Sequence, residues 1–377
     1  SYFARGLALA EGIGQWQWAL NARVNSANAH QRLGDHAKAL RMHEAALTQQ
    51  KERGLEADAA ASLFNIGNTY KALGNYARAL SLYEQASAKQ QALGDKAGAT
   101  ATLINIGLVY QAFGDYAKAL ATFERALAQK EALGDKAAVA AVHINIGLVY
   151  RELGDQESAL ARFERGLDLA EAIEHRQWAV NALTNIALVL ADRGELDVAL
   201  AKYEQALARK QELGDRLGAA TVLRNIAVVQ ERLGKHADAL ATSERALAEQ
   251  EAIGDRLGAA WTRCNIGVIH AALGEYAKAR KAIERSARTA KSLRSTPLLV
   301  FARARLAHLH LVAGNSARAL SDAQKALDVM EVLLGGLGQE QAATARQRLA
   351  SVFSIGALAA ARENEPAEVL SFLESGR

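Results

Sequence analysis

The sequence predicts an all-α protein, a right-handed superhelical solenoid of antiparallel helix pairs. Three observations predict it: a motif that returns every 40 residues, a glycine at almost every twentieth residue, and apolar positions spaced with a helical period. Two prolines in 377 residues, and abundant alanine, suit long helices.

The period is legible in one run. Leu103-Ile104-Asn105-Ile106-Gly107-Leu108-Val109-Tyr110 returns 40 residues later at His143 to Tyr150 and stands 40 earlier at Leu63 to Tyr70. Gly34, Gly74, Gly114, Gly154, Gly194, Gly234, Gly274 and Gly314 form one glycine series; Gly14, Gly54, Gly94, Gly134, Gly214 and Gly254 form a second, broken at Glu174 and Arg294. A glycine at a helix end supplies the left-handed residue that closes it. Asp35, Asn75, Asp95, Asp115, Asp135, Asp155, Asp215, Asp255 and Asn315 follow such glycines and are expected to cap the next helix. Thr296-Pro297 is expected to do the same as a cap with proline at the first helical position. Each helix then has roughly 16–18 residues and a length of about 25 Å.

Within one unit, Ala119, Leu120, Phe123, Ala126 and Leu127 make a single buried stripe. Alanine holds positions 39, 79, 119, 159, 199, 239, 279 and 319 without exception. Gly67, Gly107, Gly147, Ala187, Ala227, Gly267 and Ala307 hold a small slot on the first helix of each pair, where a bulkier residue would overpack. Leu103, Ile106, Gly107, Tyr110, Ala119, Phe123 and Ala126 together resemble the tetratricopeptide repeat. The 40-residue period, longer than the family's usual 34, resembles the arrays of kinesin light chains, Pins-type adaptors and bacterial signalling proteins.

The register gives eight units over residues 14–333. Residues 1–13 read as the second helix of an earlier unit, with Phe3 in the aromatic slot. The register slips near Val332 to Gln339, and residues 334–377 read as an irregular insert followed by an incomplete ninth unit in which Gly356 and Phe372 resume the pattern. Both ends are therefore expected to fall inside a repeat, and the chain to be a piece of a longer protein. A 160-residue offset relates Leu169 to Asn181 to the run Leu9 to Asn21, as if a four-unit block had been duplicated.

Composition excludes several functions. The formal charge of +4 gives no broad basic field, so no nucleic-acid partner is expected, and first-helix slots show no systematic base-reading pattern. No apolar run approaches the ~18 residues of a membrane span. One cysteine, Cys264, allows no internal disulfide and fits a reducing, cytoplasmic setting. No cofactor, metal site or catalytic constellation is expected. Cys264 lacks a histidine at helical spacing, and His308 and His310 diverge on a helix. Gly335-Gly336-Leu337-Gly338 lacks the Gly-Lys-Ser/Thr of a phosphate loop and reads as a connector. Glutamates at 44, 84, 124, 164, 204, 244 and 284 read as a solvated or ionic row, and Trp16, Trp18, Trp178 and Trp261 as packing between units.

One series asks for a function. Asn25, Asn65, Asn105, Asn145, Asn185, Asn225 and Asn265 share a slot, with Arg305 in the eighth unit, although asparagine is a mediocre helix former. By the family resemblance, this slot faces the concave groove and is similar to the asparagine ladder of the O-GlcNAc transferase family, where amides grip the main chain of an extended peptide. Ile104, Leu108, Ile144, Leu148, Leu188, Val228 and Val268 then form an apolar floor, and Lys71, Arg151, Arg224, Arg232 and Arg305 add positive charge. The expected function is a protein- or peptide-binding scaffold within a larger protein, its partner an extended segment of another protein or of the same polypeptide. The alternative is a sensor array controlling a covalently linked output domain: a peptidase, an ATPase or a transcription factor. The stretch Glu368 to Arg377 resembles the helix that precedes caspase-like peptidase domains.

Overall fold

The computed structural model describes residues 5–6, 9–10, 12–33, 35–334 and 350–376. Among these, every regular element of secondary structure is a helix. Two compact bodies emerge, residues 1–149 and 150–377. The first holds the hairpins α1 (Trp16–Arg32) with α2 (His36–Glu52), α3 (Glu56–Ala72) with α4 (Tyr76–Ala92), and α5 (Lys96–Phe113) with α6 (Tyr116–Ala132). Helix α7 (Lys136–Glu152) carries the boundary. The second body contains α8 (Gln156–Ala172), then α9 (Arg176–Asp192) with α10 (Leu196–Glu212), α11 (Arg216–Arg232) with α12 (His236–Ala252), and α13 (Arg256–Ala272) with α14 (Tyr276–Ser292). It closes with α15 (Thr296–Val312) and α16 (Ser316–Leu334), then α17 (Ala350–Arg362) and α18 (Pro366–Ser375).

All nine expected Asp and Asn caps are made. Each side chain accepts from the backbone N–H three residues on, at 2.8–3.2 Å. His175 Nδ1 takes the same role towards Trp178 N at 3.3 Å. The Thr296-Pro297 expectation is corrected by one position. Ser295 is the cap residue, its side chain makes no capping bond, and Thr296 already lies inside the helix with Pro297 in the first turn. Where the second glycine series breaks, the turn persists: Glu174 (φ 55°) and Arg294 (φ 53°) hold the left-handed conformation that glycine holds elsewhere.

The invariant alanines at 39, 79, 119, 159, 199, 239, 279 and 319 are wholly buried. Ala79 shares a core cluster with Tyr83, Ile106 and Val109, and Ala319 one with Leu311 and Ala359, so a larger side chain there would hold neighbouring helices apart. The aromatic slot fills the remaining space, with Tyr83, Phe123, Phe163, Tyr203 and Phe372 fully enclosed. Gly356 lies against the Phe372 ring, as Gly107 lies against Phe123. The expected helix over residues 1–13, with Phe3, rests partly on positions outside the described residues, and the glycine run 335–338 lies outside them.

In the first body α1 touches α3, and in the second α9 touches α11, α11 touches α13, and α13 touches α15. No comparable approach joins successive second helices among the described residues. First helices therefore line the inner side of each body, and second helices splay on the outer side. A hollow of about 470 Å³ opens on that outer side over α4 and α6.

Candidate functional site

The asparagine slot sits beside the buried stripe of each first helix. Its neighbour is the enclosed isoleucine at 66, 106, 146, 186, 226 and 266, which anchors the helix. The amide beside it therefore emerges at the border of the stripe. Asn65, Asn105, Asn145, Asn185, Asn225 and Asn265 are half-buried, and Asn25 is exposed.

Several of these amides already have partners. Asn105 donates from Nδ2 to Ala101 O at 3.1 Å, one turn back, and its Oδ1 accepts from Lys71 Nζ at 2.7 Å. Asn185 donates to Asn181 O at 2.9 Å, and the Asn225 amide bonds the hydroxyl of the buried Tyr203. A primary amide offers two N–H donors and two acceptor lone pairs. Asn105 and Asn185 thus retain donor and acceptor capacity after these bonds.

The apolar residues beside the ladder are graded. Ile144 is buried, Ile104, Leu108, Leu148, Leu188 and Val268 are half-buried, and Val228 is exposed. The cations are less uniform than the sequence suggested. Lys71 is held by Asn105, and burial lowers its pKa. Arg151 Nη2 pairs with Glu152 at 3.1 Å, and Arg232 Nη1 donates to Ala191 O at 2.7 Å, closing the end of α9. Arg224 is half-buried near Tyr203 and Asp255; burial lowers its pKa, and the Asp255 charge opposes that shift. Arg305 is exposed and lies over the Phe301 ring at 4.8 Å. With His308 it borders a hollow of about 290 Å³ floored by Val268, Ile283 and Leu309.

Residues suspected of chemistry have structural surroundings. Cys264 is fully enclosed, and burial pushes its thiol up to about 12, far from the thiolate that nucleophilic chemistry needs. His310 lies 3.7 Å from Asp322, which also pairs with Arg303 at 2.7 Å, while His308 faces the hollow just described. No group of three or more His, Cys, Asp or Glu among the described residues could hold a metal, and no helix among them is long and apolar enough to cross a membrane. Trp261 packs on Phe301 of the next hairpin at 5.3 Å, whereas Trp18 is exposed.

A second buried polar slot, on the second helices, escaped the sequence reading although its period was visible. Gln50, Gln90, Lys130, Lys210 and Gln250 are all buried. Gln90 Oε1 accepts from Thr102 at 2.7 Å. Lys130 and Lys210 instead pair with Asp135 and Asp215 at 3.0 and 2.8 Å. At Gln90, Lys130, Lys210 and Gln250 this slot ties the second helix to the turn or first helix that follows.

Solved structures share this fold. The chain is similar in structure to aspartyl phosphate phosphatase F from Bacillus subtilis, with a TM-score of 0.65 and 17% identity over 79% of this chain and 77% of that one. It is similar to a Rap protein crystallised with competence and sporulation factor, with a TM-score of 0.57 and 16% identity over 90% of this chain and 99% of that one. It also resembles a signal transduction ATPase with a tetratricopeptide repeat sensor from Pyrococcus horikoshii, with a TM-score of 0.57 and 14% identity over 90% of this chain and 51% of that one. At these identities the likeness is one of fold. No curated protein sequence matches the chain. The family model for the tetratricopeptide repeat matches residues 18–92, 98–172, 178–252 and 231–292. Its first three matches begin 80 residues apart, two hairpins at a time, and the chain belongs to the tetratricopeptide repeat family.

Proposed function

We propose that the first-helix face binds an extended segment of protein, and that the chain serves as the interaction region of a larger regulatory protein. The observation that carries this reading is the asparagine slot: a residue poorly suited to helices recurs at one half-buried position and keeps hydrogen-bonding capacity beyond its internal bonds. Neighbouring packed helices lie about 10 Å apart, and an extended chain advances about 3.3 Å per residue, so one amide meets about every third peptide residue. Half-buried aliphatic residues beside the ladder suit the partner's apolar side chains.

A second reading, in which the bound segment switches a covalently attached output domain, draws on two structural relatives. One is described as a Rap protein complexed with competence and sporulation factor, the other as a signal transduction ATPase with a tetratricopeptide repeat sensor. Both readings use the same face.

The experiment is selection of binders from a displayed random peptide library, followed by Asn185→Ala and Asn265→Ala combined, with Asn225 and its bond to Tyr203 left in place. At about 0.5–1.5 kcal/mol per amide contact, the double variant should bind the selected peptides about fivefold to a hundredfold more weakly, with its melting temperature little changed. Stability lost in step with binding would assign these amides to the scaffold instead.

A further inference from the structure

The solvent side of α14 is a strip of positive charge one helix wide. Lys278, Arg280, Lys281, Arg285, Arg288 and Lys291 are all exposed on it, against a single carboxylate, Glu284. That excess is larger than the formal +4 of the entire chain. The opposite side of the helix, Ala279, Ile283, Ser286, Ala287 and Ala290, is buried in the array, so every cation is turned outward.

Lys278 and Arg285 follow the repeat, which has Lys118 and Arg125 in the same slots, but Arg280, Lys281 and Lys291 depart from it. Where α14 has Arg280, α4, α6, α8, α10, α12 and α16 have leucine, at 80, 120, 160, 200, 240 and 320. Where it has Lys281, α6, α8, α10 and α12 have alanine. Where it has Lys291, α6, α8, α12 and α16 have glutamate. The departures all add positive charge, on a helix where Lys281 and Arg285 at i and i+4 already repel one another. Internal neutralisation is thin. Glu284 lies 4.0 Å from both Arg280 and Arg288, and Lys278 reaches Glu275 at 2.8 Å. Lys281, Arg285 and Lys291 have no carboxylate at ion-pair distance among the described residues.

The neighbouring hairpins decide what fits. Exposed Asp238, Glu244 and Glu251 outnumber the exposed Arg245 on α12, and exposed Asp328 and Glu331 offset the exposed Arg318 and Lys325 on α16. A nucleic-acid duplex or a membrane is wider than one helix of about 10 Å and would set its phosphates against these carboxylates as well. A single acidic chain can lie along α14 alone. We propose that the outer face of α14 docks an acidic polypeptide segment of a partner protein. From Lys278 to Lys291 the strip runs about 20 Å at 1.5 Å per residue, the reach of about six residues of extended chain. This site is on the second-helix side and does not depend on the peptide groove.

The test uses the full chain and a fluorescein-labelled alternating Glu-Ser peptide of about twelve residues, long enough to span the strip, followed by fluorescence anisotropy. Binding should weaken with added salt, because exposed charges are screened beyond about 8 Å at physiological ionic strength. The combined variant Lys281→Glu, Arg285→Glu and Arg288→Glu should lose about tenfold or more in affinity and gain binding to the matching Lys-Ser peptide. Reversal of Lys38 and Arg41 on α2 should change nothing. If the reversed variant fails to fold, Lys281→Ala with Arg285→Ala and Lys291→Ala gives the same reading by neutralisation. Equal affinity in wild type and variant would overturn the proposal. So would tighter binding of duplex DNA or phosphatidylserine vesicles than of the acidic peptide, or self-association of the chain abolished by the same reversal.

Discussion

Phe123 occupies the space that a Cβ at Gly107 would need: such an atom would come within 2.6 Å of the ring's Cε1. The ring is fully enclosed and cannot swing away. Gly107→Ala should therefore destabilise the protein by about 1–2 kcal/mol, the overpacking cost outweighing alanine's better helix propensity. Urea denaturation would measure it, and adding Phe123→Leu should recover part of the loss.

Glu174 and Arg294 make the opposite case. Both hold positive φ with a side chain present, a conformation that costs an ordinary residue about 1–2 kcal/mol. Glu174→Gly and Arg294→Gly should each stabilise by about 0.5–1 kcal/mol, after allowing for glycine's greater freedom in the unfolded chain. A lowered midpoint for either variant would show that the side chain contributes something beyond the turn.

His43 occupies the slot that holds Tyr83 and Phe123 in the next two hairpins, and it is wholly buried. Burial lowers its pKa from 6.5 to about 4. The neutral imidazole belongs to the folded state, so this stability is complete above pH 6.5 and is lost as pH falls through about 4. The loss should reach up to about 3 kcal/mol. Hydrogen exchange across α1 and α2 at pH 7 and pH 4.5 should reveal the loosening, and His43→Phe should remove its pH dependence.

Asp215 performs two tasks. It caps α11 through Gly218 N at 2.8 Å, and its other oxygen pairs with the buried Lys210 ammonium at 2.8 Å. The Lys210 bond, followed by the Gly218 N–H, holds its carboxyl below the usual aspartate range. Asp215→Asn keeps the cap but leaves the buried ammonium without a carboxylate, its remaining partner being Asn181 Oδ1 at 3.3 Å, so it should cost about 1–3 kcal/mol. Asp95→Asn is the control. Asp95 makes the same cap at 2.9 Å, but Gln90 replaces the lysine, so the change should cost less than about 0.5 kcal/mol. Thermal unfolding of the two variants side by side distinguishes the contributions.

Local chemistry made most of the fold legible in the amino-acid order. Glycine followed by Asp or Asn names a turn because few other residues make a left-handed helix end and then cap the next helix. The alanine at 39, 79, 119 and their successors names a wholly buried position, where a larger side chain would overpack. Glu174 and Arg294 show the limit of that code: packing of the flanking helices imposes the turn, and the backbone accepts the strain. The candidate groove was legible only as a set of positions. Asn105 and Lys71 lie 34 residues apart, and their 2.7 Å bond exists only because successive first helices pack side by side. The same packing gives Arg232 to a backbone carbonyl of α9 and leaves Arg305 exposed over Phe301. Which charges stay available to a partner is therefore decided by tertiary structure, because hydrogen bonds between hairpins compete for the same side chains that a ligand would use.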